Sequence, residues 1–171
     1  KQITKAKDYR NLISEKVIDY SRAKVASINE KPYAVGALSR FNNNFDKLCK
    51  KAKSAAKQLG LEVPLNNPYL NTAAQLVEWI HCLEDSINIL ERIFEEGLDE
   101  KTIVVPSWPK KGEKRTYTPN TGKGVVEVPR GTLFHEYTID DTGHITKANC
   151  IIPTNQNISN LEEDMRKIIP D

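Results

Sequence analysis

One stretch constrains the fold more than any other: residues 124–137, which read GVVEVPRGTLFHEY. An apolar segment runs into a Pro-Arg-Gly corner and leaves it as an alternating strand pattern. Pro129 fixes its own φ and biases Val128 toward an extended conformation, and Gly131 permits a sharp turn directly after Arg130. The pattern predicts one arginine on a stiff loop between two extended segments. Such a loop suits the binding of an anion or a polar ligand.

The residues after this corner predict a β-hairpin. From Thr132 the side chains alternate between two faces, and Asp140–Gly143 reads as the hairpin loop, with Gly143 free to take positive φ. The return strand is predicted over residues 144–152, and the segment after it is predicted to break the strand. A hairpin of this length brings Arg130 and the segment near Thr154 together, because both flank its open end.

Three helices are predicted upstream, over residues 3–24, 42–59 and 68–96, from apolar residues at spacings of three and four. Gly60 and Gly97 are the expected stops of the second and third helices, and an Asn-Pro pair at 67–68 is the expected start of the third. The third helix carries a heptad seam that is expected to pack against the second helix. The seam consists of Ala73, Leu76, Ile80, Leu83, Ile87, Leu90 and Phe94.

The predicted fold class is therefore α+β: an antiparallel three-helix core in residues 1–97, then the β-hairpin and a short C-terminal helix in residues 98–171. That last helix is predicted over 158–168, capped by Asn157 or Ser159. A short strand is predicted at 102–105 and a polar excursion at 106–115. Small residues between Pro32 and Arg40 allow either tight packing or close approach of another backbone.

Charge and cysteine usage exclude several functions. Residues 1–60 carry fourteen Lys or Arg against five Asp or Glu, whereas residues 61–100 carry one against nine. The acidic segment can neutralise the basic one, and aromatic residues do not interleave with the lysines, so nucleic-acid binding is not expected.

No apolar run reaches the roughly 20 residues of a membrane span. The three cysteines, Cys49, Cys82 and Cys150, lie far apart, which favours a cytoplasmic setting and argues against a self-contained metal site.

Two segments carry a family resemblance. Residues 127–135 (EVPRGTLFH) followed by residues 151–157 (IIPTNQN) resemble the large subunit of nickel–iron hydrogenases, in the cytoplasmic branch that works with deazaflavin, NAD(P) or heterodisulfide reductase. Residues 32–40 (PYAVGALSR) and 67–69 (NPY) resemble further segments of that branch, in the same order. The Pro-Arg-Gly hairpin is the specific part of the match.

The resemblance implies a role for three residues in the intact enzyme. Arg130 would lie over a nickel–iron centre and donate to an iron-bound cyanide, with the Pro129 backbone in the same pocket. Thr154 would donate to a second cyanide; such donors tune a metal without ligating it. The implied reaction is reversible oxidation of dihydrogen to protons and electrons, at iron that also carries carbon monoxide. The implied partners are the rest of the large subunit, an iron–sulfur small subunit, and further electron-transfer subunits.

The sequence departs from the family at the metal ligands. The family supplies them from two C-x-x-C motifs, and this sequence contains neither. The chain is therefore expected to be an internal fragment that binds no nickel or iron alone and is inactive alone. Two alternatives stay open: Arg130 forms an ordinary salt bridge with Glu127 or Glu136, and the chain is a non-catalytic helical interaction or assembly module.

Overall fold

The computed structural model describes residues 5–104, 112 and 116–169, and the chain divides into two compact units. One unit combines the residues up to Arg40 with those from Tyr117 onward; the other holds Phe41 to Thr116. This division differs from the predicted one into 1–97 and 98–171. In chain order the elements are β1 (Ile13–Lys16), β2 (Val25–Ile28), α1 (Ala37–Asn44), α2 (Lys50–Gln58), α3 (Asn71–Glu96), β3 (Asn120–Val128), β4 (Gly131–Ile139), β5 (Ile145–Ile151) and α4 (Pro153–Ile168).

The predicted hairpin is confirmed and has a third strand. β3, β4 and β5 form an antiparallel sheet in that order. β3 and β4 pair from Asn120↔Ile139 to Val128↔Gly131, which leaves only Pro129 and Arg130 in the connecting turn. β4 and β5 pair from Phe134↔Ile151 to Ile139↔Ile145 around the predicted loop. The pattern of the 124–137 stretch therefore identified both strands that flank the corner.

The predicted helix over 3–24 is wrong. A 3₁₀ turn (Ala6–Asn11) leads into β1, which pairs with β2 from Ile13↔Ile28 to Lys16↔Val25. Tyr9 and Ile13 are buried in a cluster with Ala26 and Ile151, whereas Val17 and Tyr20 are 76% and 74% exposed. The spacings of three and four between Tyr9, Ile13, Val17 and Tyr20 were helical only by coincidence. Pairing with a strand nine residues further on decided the conformation.

The last helix is longer than predicted and begins differently. α4 starts at Pro153, which occupies its first turn, and no side chain caps it. The strand ends before Pro153, as predicted, but residues 153–157 already belong to the helix, so Asn157 and Ser159 lie inside it instead of capping it. Proline is favoured at the first helical position because its missing N–H has no partner there in any helix. Thr154 consequently lies in the first turn of α4.

The helices of the second unit follow the predicted stop and start signals. α2 ends before Gly60 and α3 ends before Gly97, both at positive φ. Asn67 Oδ1 accepts the N–H of Tyr69 at 3.0 Å, so the predicted cap is present, over a 3₁₀ turn that leads into α3. The predicted single helix over 42–59 is wrong: it is interrupted near Cys49, whose thiol caps α2 by accepting the Ala52 N–H.

α2 and α3 pack against each other, as predicted, but most of the heptad seam of α3 does not face α2. The stripe toward α2 instead carries Val77, which is buried, His81, which accepts the Cys49 N–H, and Glu84, which pairs with Lys51. α2 has only nine residues against the twenty-six of α3, so it covers one side of part of that helix. Five large seam residues are exposed: Leu76, Leu83, Ile87, Leu90 and Phe94.

The α+β assignment is confirmed, because a long helix and a three-stranded antiparallel sheet are followed by a C-terminal helix. The strand predicted at 102–105 is absent over its described part, where Glu100–Thr102 form a 3₁₀ turn. The predicted excursion at 106–115 lies outside the described residues, except for Gly112. Within the described ranges, no helix combines the length and apolarity needed to cross a bilayer.

Candidate functional site

The Pro-Arg-Gly corner is a two-residue turn that packs on a second segment of the same unit. Gly131 has φ +134°, a value that side-chain-bearing residues rarely adopt. A Cβ built on Gly131 would lie 2.2 Å from Val35 Cγ2, and one built on Gly36 would lie 3.0 Å from the Arg130 carbonyl oxygen. The small residues between Pro32 and Arg40 therefore allow a close backbone approach, and the partner is this turn.

Arg40 holds the turn from the side. Its Nη1 donates to Glu127 Oε1 and, at 3.1 Å, to the Val128 carbonyl, and its Nη2 donates to the Pro129 carbonyl at 2.9 Å. The other oxygen of Glu127 accepts from Thr132 Oγ1 at 2.7 Å. A guanidinium can bind several acceptors at once in a fixed planar arrangement, so Arg40 orders the entry to the turn, and Glu127 links it to Thr132 on the exit side.

The first turn of α4 holds the same corner from another direction. Gln156, 1% exposed, donates from Nε2 to the Thr132 carbonyl at 2.6 Å, and its Oε1 accepts from Tyr33 Oη at 3.0 Å. Asn157 Oδ1 accepts the Val35 N–H at 2.8 Å, and its Nδ2 lies 3.5 Å from the Arg130 carbonyl. Burial raises the pKa of Tyr33, so its hydroxyl stays a donor.

Further along β4, away from the turn, Glu136 anchors the hairpin. Its Oε2 accepts from Arg10 Nε at 2.8 Å and from Tyr9 Oη at 2.7 Å, with Lys123 Nζ at 3.7 Å. The hydrogen bond from Arg10, followed by that from Tyr9, holds the pKa of Glu136 below its ordinary value. The Tyr9 ring stacks on Phe134 with centroids 5.1 Å apart. Charge pairing and ring packing thus fix the strand that leads away from the turn.

The three site residues predicted from the sequence are exposed to solvent beside the turn. Pro129, Arg130 and Thr154 are all exposed. Among residues 5–104, 112 and 116–169, neither the Arg130 guanidinium nor the Thr154 hydroxyl has a hydrogen-bond or ion-pair partner. Glu127 pairs with Arg40 and Glu136 pairs with Arg10, so the alternative that Arg130 pairs with either of them is wrong.

The expectation that the hairpin brings Arg130 near the segment around Thr154 is confirmed by the contacts of Asn157 and Gln156 with the turn. The functional roles of the two residues remain predictions. Arg40, Gln156 and Asn157, which hold the turn, were not identified from sequence as site residues. The sequence did offer a clue to them, because all three lie within the segments that carry the family resemblance.

The cysteines do not assemble. Cys49 caps α2, Cys82 is exposed on α3, and Cys150 lies on β5. The described part of the chain contains no group of three or more His, Cys, Asp or Glu side chains placed to hold a metal ion. The arrangement therefore consists of hydrogen-bond donors beside a turn that Arg40, Gln156 and Asn157 hold in place.

The Pro-Arg-Gly turn is the most specific part of the resemblance to the nickel–iron hydrogenase large subunit that the sequence carries. The sequence matches the family model described as nickel-dependent hydrogenase over residues 2–167, and the chain belongs to that family.

Among its relatives, the chain is 30% identical to the alpha chain of sulfhydrogenase 1 from Pyrococcus furiosus, over 92% of this chain and 34% of that protein. It is also 30% identical to the beta chain of the NAD-reducing hydrogenase HoxS from Cupriavidus necator, over 96% of this chain and 33% of that protein.

Its fold is similar to that of an NAD⁺-reducing [NiFe]-hydrogenase solved in the H₂-reduced state. The TM-score is 0.68 and the identity is 27%, over 92% of this chain and 34% of that one. The chain therefore spans about a third of the length of the relatives it matches.

Proposed function

We propose that this chain forms the middle of a hydrogenase large subunit, where it contributes hydrogen-bond donors around that subunit's nickel–iron centre. The complete subunit would oxidise dihydrogen reversibly to protons and electrons. Family membership supports the proposal, as does the chain's match to about a third of the length of each relative. The chain's own share is the Pro129–Arg130 turn, Thr154 and the scaffold that holds them.

The observation that carries the proposal is the contrast between the turn's backbone and its side chain. The backbone is held by Arg40, Gln156 and Asn157, while the Arg130 guanidinium is exposed and unpartnered among the described residues. Because the backbone of the turn is already fixed, only the rotamers of the Arg130 side chain remain to be ordered when its target arrives, which lowers the cost of binding. A purely structural arginine would be expected to use its guanidinium within the fold, as Arg40 does.

The donors fit a metal group that carries anionic ligands. Arg130 offers guanidinium N–H groups and Thr154 offers a hydroxyl, and the first N–H groups of α4 lack partners within that helix. Cyanide on iron accepts hydrogen bonds, whereas carbon monoxide accepts them poorly. When bound, the centre would supply the Lewis acidity that polarises dihydrogen. Arg130 would orient the cyanide and hold a positive charge beside the open site, and Thr154 would orient the second cyanide.

The metal ligands would come from elsewhere in the subunit, because this sequence has no C-x-x-C motif and its cysteines lie apart. The isolated chain is therefore proposed to bind no nickel or iron and to be inactive. Partners would include an iron–sulfur small subunit, together with further electron-transfer subunits, in a cytoplasmic complex. The names of relatives support such an assembly, since one is the alpha chain of a sulfhydrogenase and another is part of an NAD-reducing hydrogenase.

The decisive test begins with the complete reading frame, which should contain a C-x-x-C pair on each side of this chain. In the enzyme expressed from that frame, Arg130→Met should lower dihydrogen-dependent dye reduction by about 100-fold, the typical loss when one preorganised donor is removed. Nickel and iron content should not change, because Arg130 ligates neither metal. Arg166→Met is the matched control: it removes an exposed arginine paired with Glu162 within α4, and activity should persist. Full activity in Arg130→Met would refute the proposed role.

A second candidate is a non-catalytic interaction or assembly module. The exposed apolar seam of α3 favours it, because contiguous apolar surface commonly marks an interface. A reading frame without C-x-x-C motifs, yielding a protein without nickel, would favour this candidate over the hydrogenase proposal.

A further inference from the structure

A second cluster of reactive side chains lies on the face of β4 and β5 opposite the Tyr9 core. Alternation along β4 places Phe134 and Glu136 toward Tyr9, and therefore places His135 and Tyr137 on the other face. Cys150 pairs directly with His135 across the two strands. The three side chains of this thiol cluster, His135, Tyr137 and Cys150, thus meet on one side of the sheet, and none of them is among the residues proposed to act at the metal centre.

The polar atoms of the thiol cluster are within mutual contact distance. Cys150 Sγ lies 3.4 Å from His135 Nδ1 and 3.4 Å from Tyr137 Oη. Tyr137 Oη lies 2.9 Å from His135 Nδ1, and the two rings stack with centroids 5.7 Å apart. One nitrogen base and one hydroxyl therefore address the same sulfur atom, which is the arrangement that assists a thiol in attack on an electrophile.

β3 leaves the rings of His135 and Tyr137 uncovered. Gly124 pairs with His135 and Gly122 pairs with Tyr137, so β3 places no side chain beside either ring. A Cβ built on either glycine would meet no atom within 4 Å, so the space above them is open. Cys150 itself is half-buried rather than sealed. β3 therefore leaves both rings uncovered on its side, and Cys150, which lies on the other side of His135, remains partly exposed.

We propose that Cys150 is an assisted thiol that exchanges with low-molecular-weight disulfides. The Cys150 S–H proton passes to His135 Nδ1, and the thiolate attacks one sulfur of the disulfide RS–SR. A new sulfur–sulfur bond joins Cys150 to one R–S group, the original bond breaks, and RS⁻ leaves and takes a proton from solvent. The Cys150 sulfur rises from the thiol to the disulfide oxidation level while the leaving sulfur falls from the disulfide to the thiol level, so the exchange is redox-neutral overall. His135 then releases its proton to solvent.

Tyr137 stabilises the attacking state by donating its hydroxyl hydrogen to the sulfur. Its hydrogen bond to Cys150, followed by burial, raises the pKa of Tyr137, so the phenol keeps the proton that it donates. His135, once protonated, is a second donor to the same thiolate. The thiolate is thus surrounded by donors, which is the setting in which cysteines react selectively.

The other two cysteines provide an internal reference. Cys82 is more exposed, lies in the middle of α3, and no described side chain contacts its sulfur within hydrogen-bond distance. Cys49 accepts the Ala52 N–H. Both test variants below carry Cys49→Ser, so that this thiol does not contribute to the reaction rate. Exposure alone predicts that Cys82 reacts faster than Cys150, whereas the thiol cluster predicts the reverse.

The test compares two single-thiol forms of the 171-residue chain with dithiobis-nitrobenzoate at neutral pH, following the released coloured thiolate. One form carries Cys49→Ser and Cys82→Ser; the other carries Cys49→Ser and Cys150→Ser. The Cys150 form should react at least about tenfold faster, a modest share of what a positioned base can supply. An equal or slower rate for Cys150 would overturn the proposal. Mass spectrometry of the digested product places the adduct.

Two further measurements separate assistance from mere packing. His135→Ala in the Cys150 form should slow the reaction to about the Cys82 rate, and added imidazole should restore it, because a freely diffusing base replaces the missing one. Unfolding in urea should slow the Cys150 form although it exposes the thiol. A faster reaction on unfolding, or no effect of His135→Ala, would refute the proposal even if a variant folds poorly. The hydrogenase proposal uses other residues and is unaffected by either result.

Discussion

Replacing Gly131 with alanine would test whether the Pro-Arg-Gly turn is held as tightly as its contacts indicate. Gly131 has φ +134°, and an added Cβ would lie 2.2 Å from Val35 Cγ2 and 2.7 Å from Val35 Cβ. Ordinary carbon–carbon contacts are about 3.5–4.0 Å, so either the turn or the Val35 segment must move by roughly 1 Å. Val35 cannot simply rotate away, because its Cβ is fixed to the backbone.

Two costs add in the Gly131→Ala variant. A side-chain-bearing residue in this part of φ/ψ space costs about 1–3 kcal/mol. Forcing one extra methyl group into a packed contact costs about 1–3 kcal/mol more. The expected loss in free energy of unfolding is therefore about 2–6 kcal/mol. Gly124→Ala is the matched control, because Gly124 does not have positive φ and an added Cβ meets no atom within 4 Å. Its effect should stay within about 0.5 kcal/mol.

Amide hydrogen exchange measures this loss of stability residue by residue. Protection of the β3 and β4 amides should fall by at least about 30-fold in Gly131→Ala, because about 1.4 kcal/mol corresponds to tenfold. Urea denaturation followed by circular dichroism gives the matching shift in midpoint. If the two alanine variants were equally stable, the turn would not be packed as described, and the preorganisation attributed to Arg130 would lose its basis.

Three further predictions follow from single side chains. Arg40→Gln removes a cation that donates to two turn carbonyls and should lower the free energy of unfolding in urea by about 1.5–3 kcal/mol. Arg166→Gln should lower the same free energy by less than about 0.5 kcal/mol. Equal losses in the two variants would contradict the role of Arg40. The pKa of Glu136 is lowered in the folded chain, so the ionised carboxylate stabilises the fold. This contribution is fully present above the unfolded-state pKa and is lost as the pH falls through the folded-state pKa. The urea midpoint of Glu136→Gln should therefore lie below wild type at neutral pH and converge with it below about pH 4, and a gap independent of pH would contradict this. The exposed seam predicts self-association of the chain by light scattering, reduced by Leu83→Glu and not by Asn88→Glu; a monodisperse monomer would count against it.

Signals confined to a few neighbouring residues were interpreted correctly from the sequence. Asn67 and Gly97 mark the approach to α3 and its end, because a cap and a positive-φ stop depend only on local backbone geometry. The hairpin around Asp140–Gly143 was predictable for the same reason, since alternation and a short loop fix both strands. The corner at Pro129–Arg130 was predicted as a turn, and its two-residue length follows from the observed register.

Signals that depend on distant partners were interpreted wrongly. Tyr9 and Ile13 show helical spacing, but the gain from pairing β1 with β2 and burying both residues against Ile151 overrode it. The heptad seam of α3 correctly indicated an apolar stripe, but its spacing could not show that α2 would pack on a different side. Helical and strand patterns overlap over a few residues, and only tertiary contacts distinguish them.

The amino-acid sequence is sufficient to show that a rigid turn presents Arg130, because proline and glycine restrict the backbone regardless of what surrounds them. It is also sufficient to identify the family, through motifs that survive in order along the chain. The folded chain was needed to show that Arg40, Gln156 and Asn157 hold the turn, and that the Arg130 guanidinium has no partner among the residues that the structure describes. Distance along the chain explains the difference: Arg40 is eighty-nine residues from the Pro129 carbonyl that it binds, and no local pattern records such a contact.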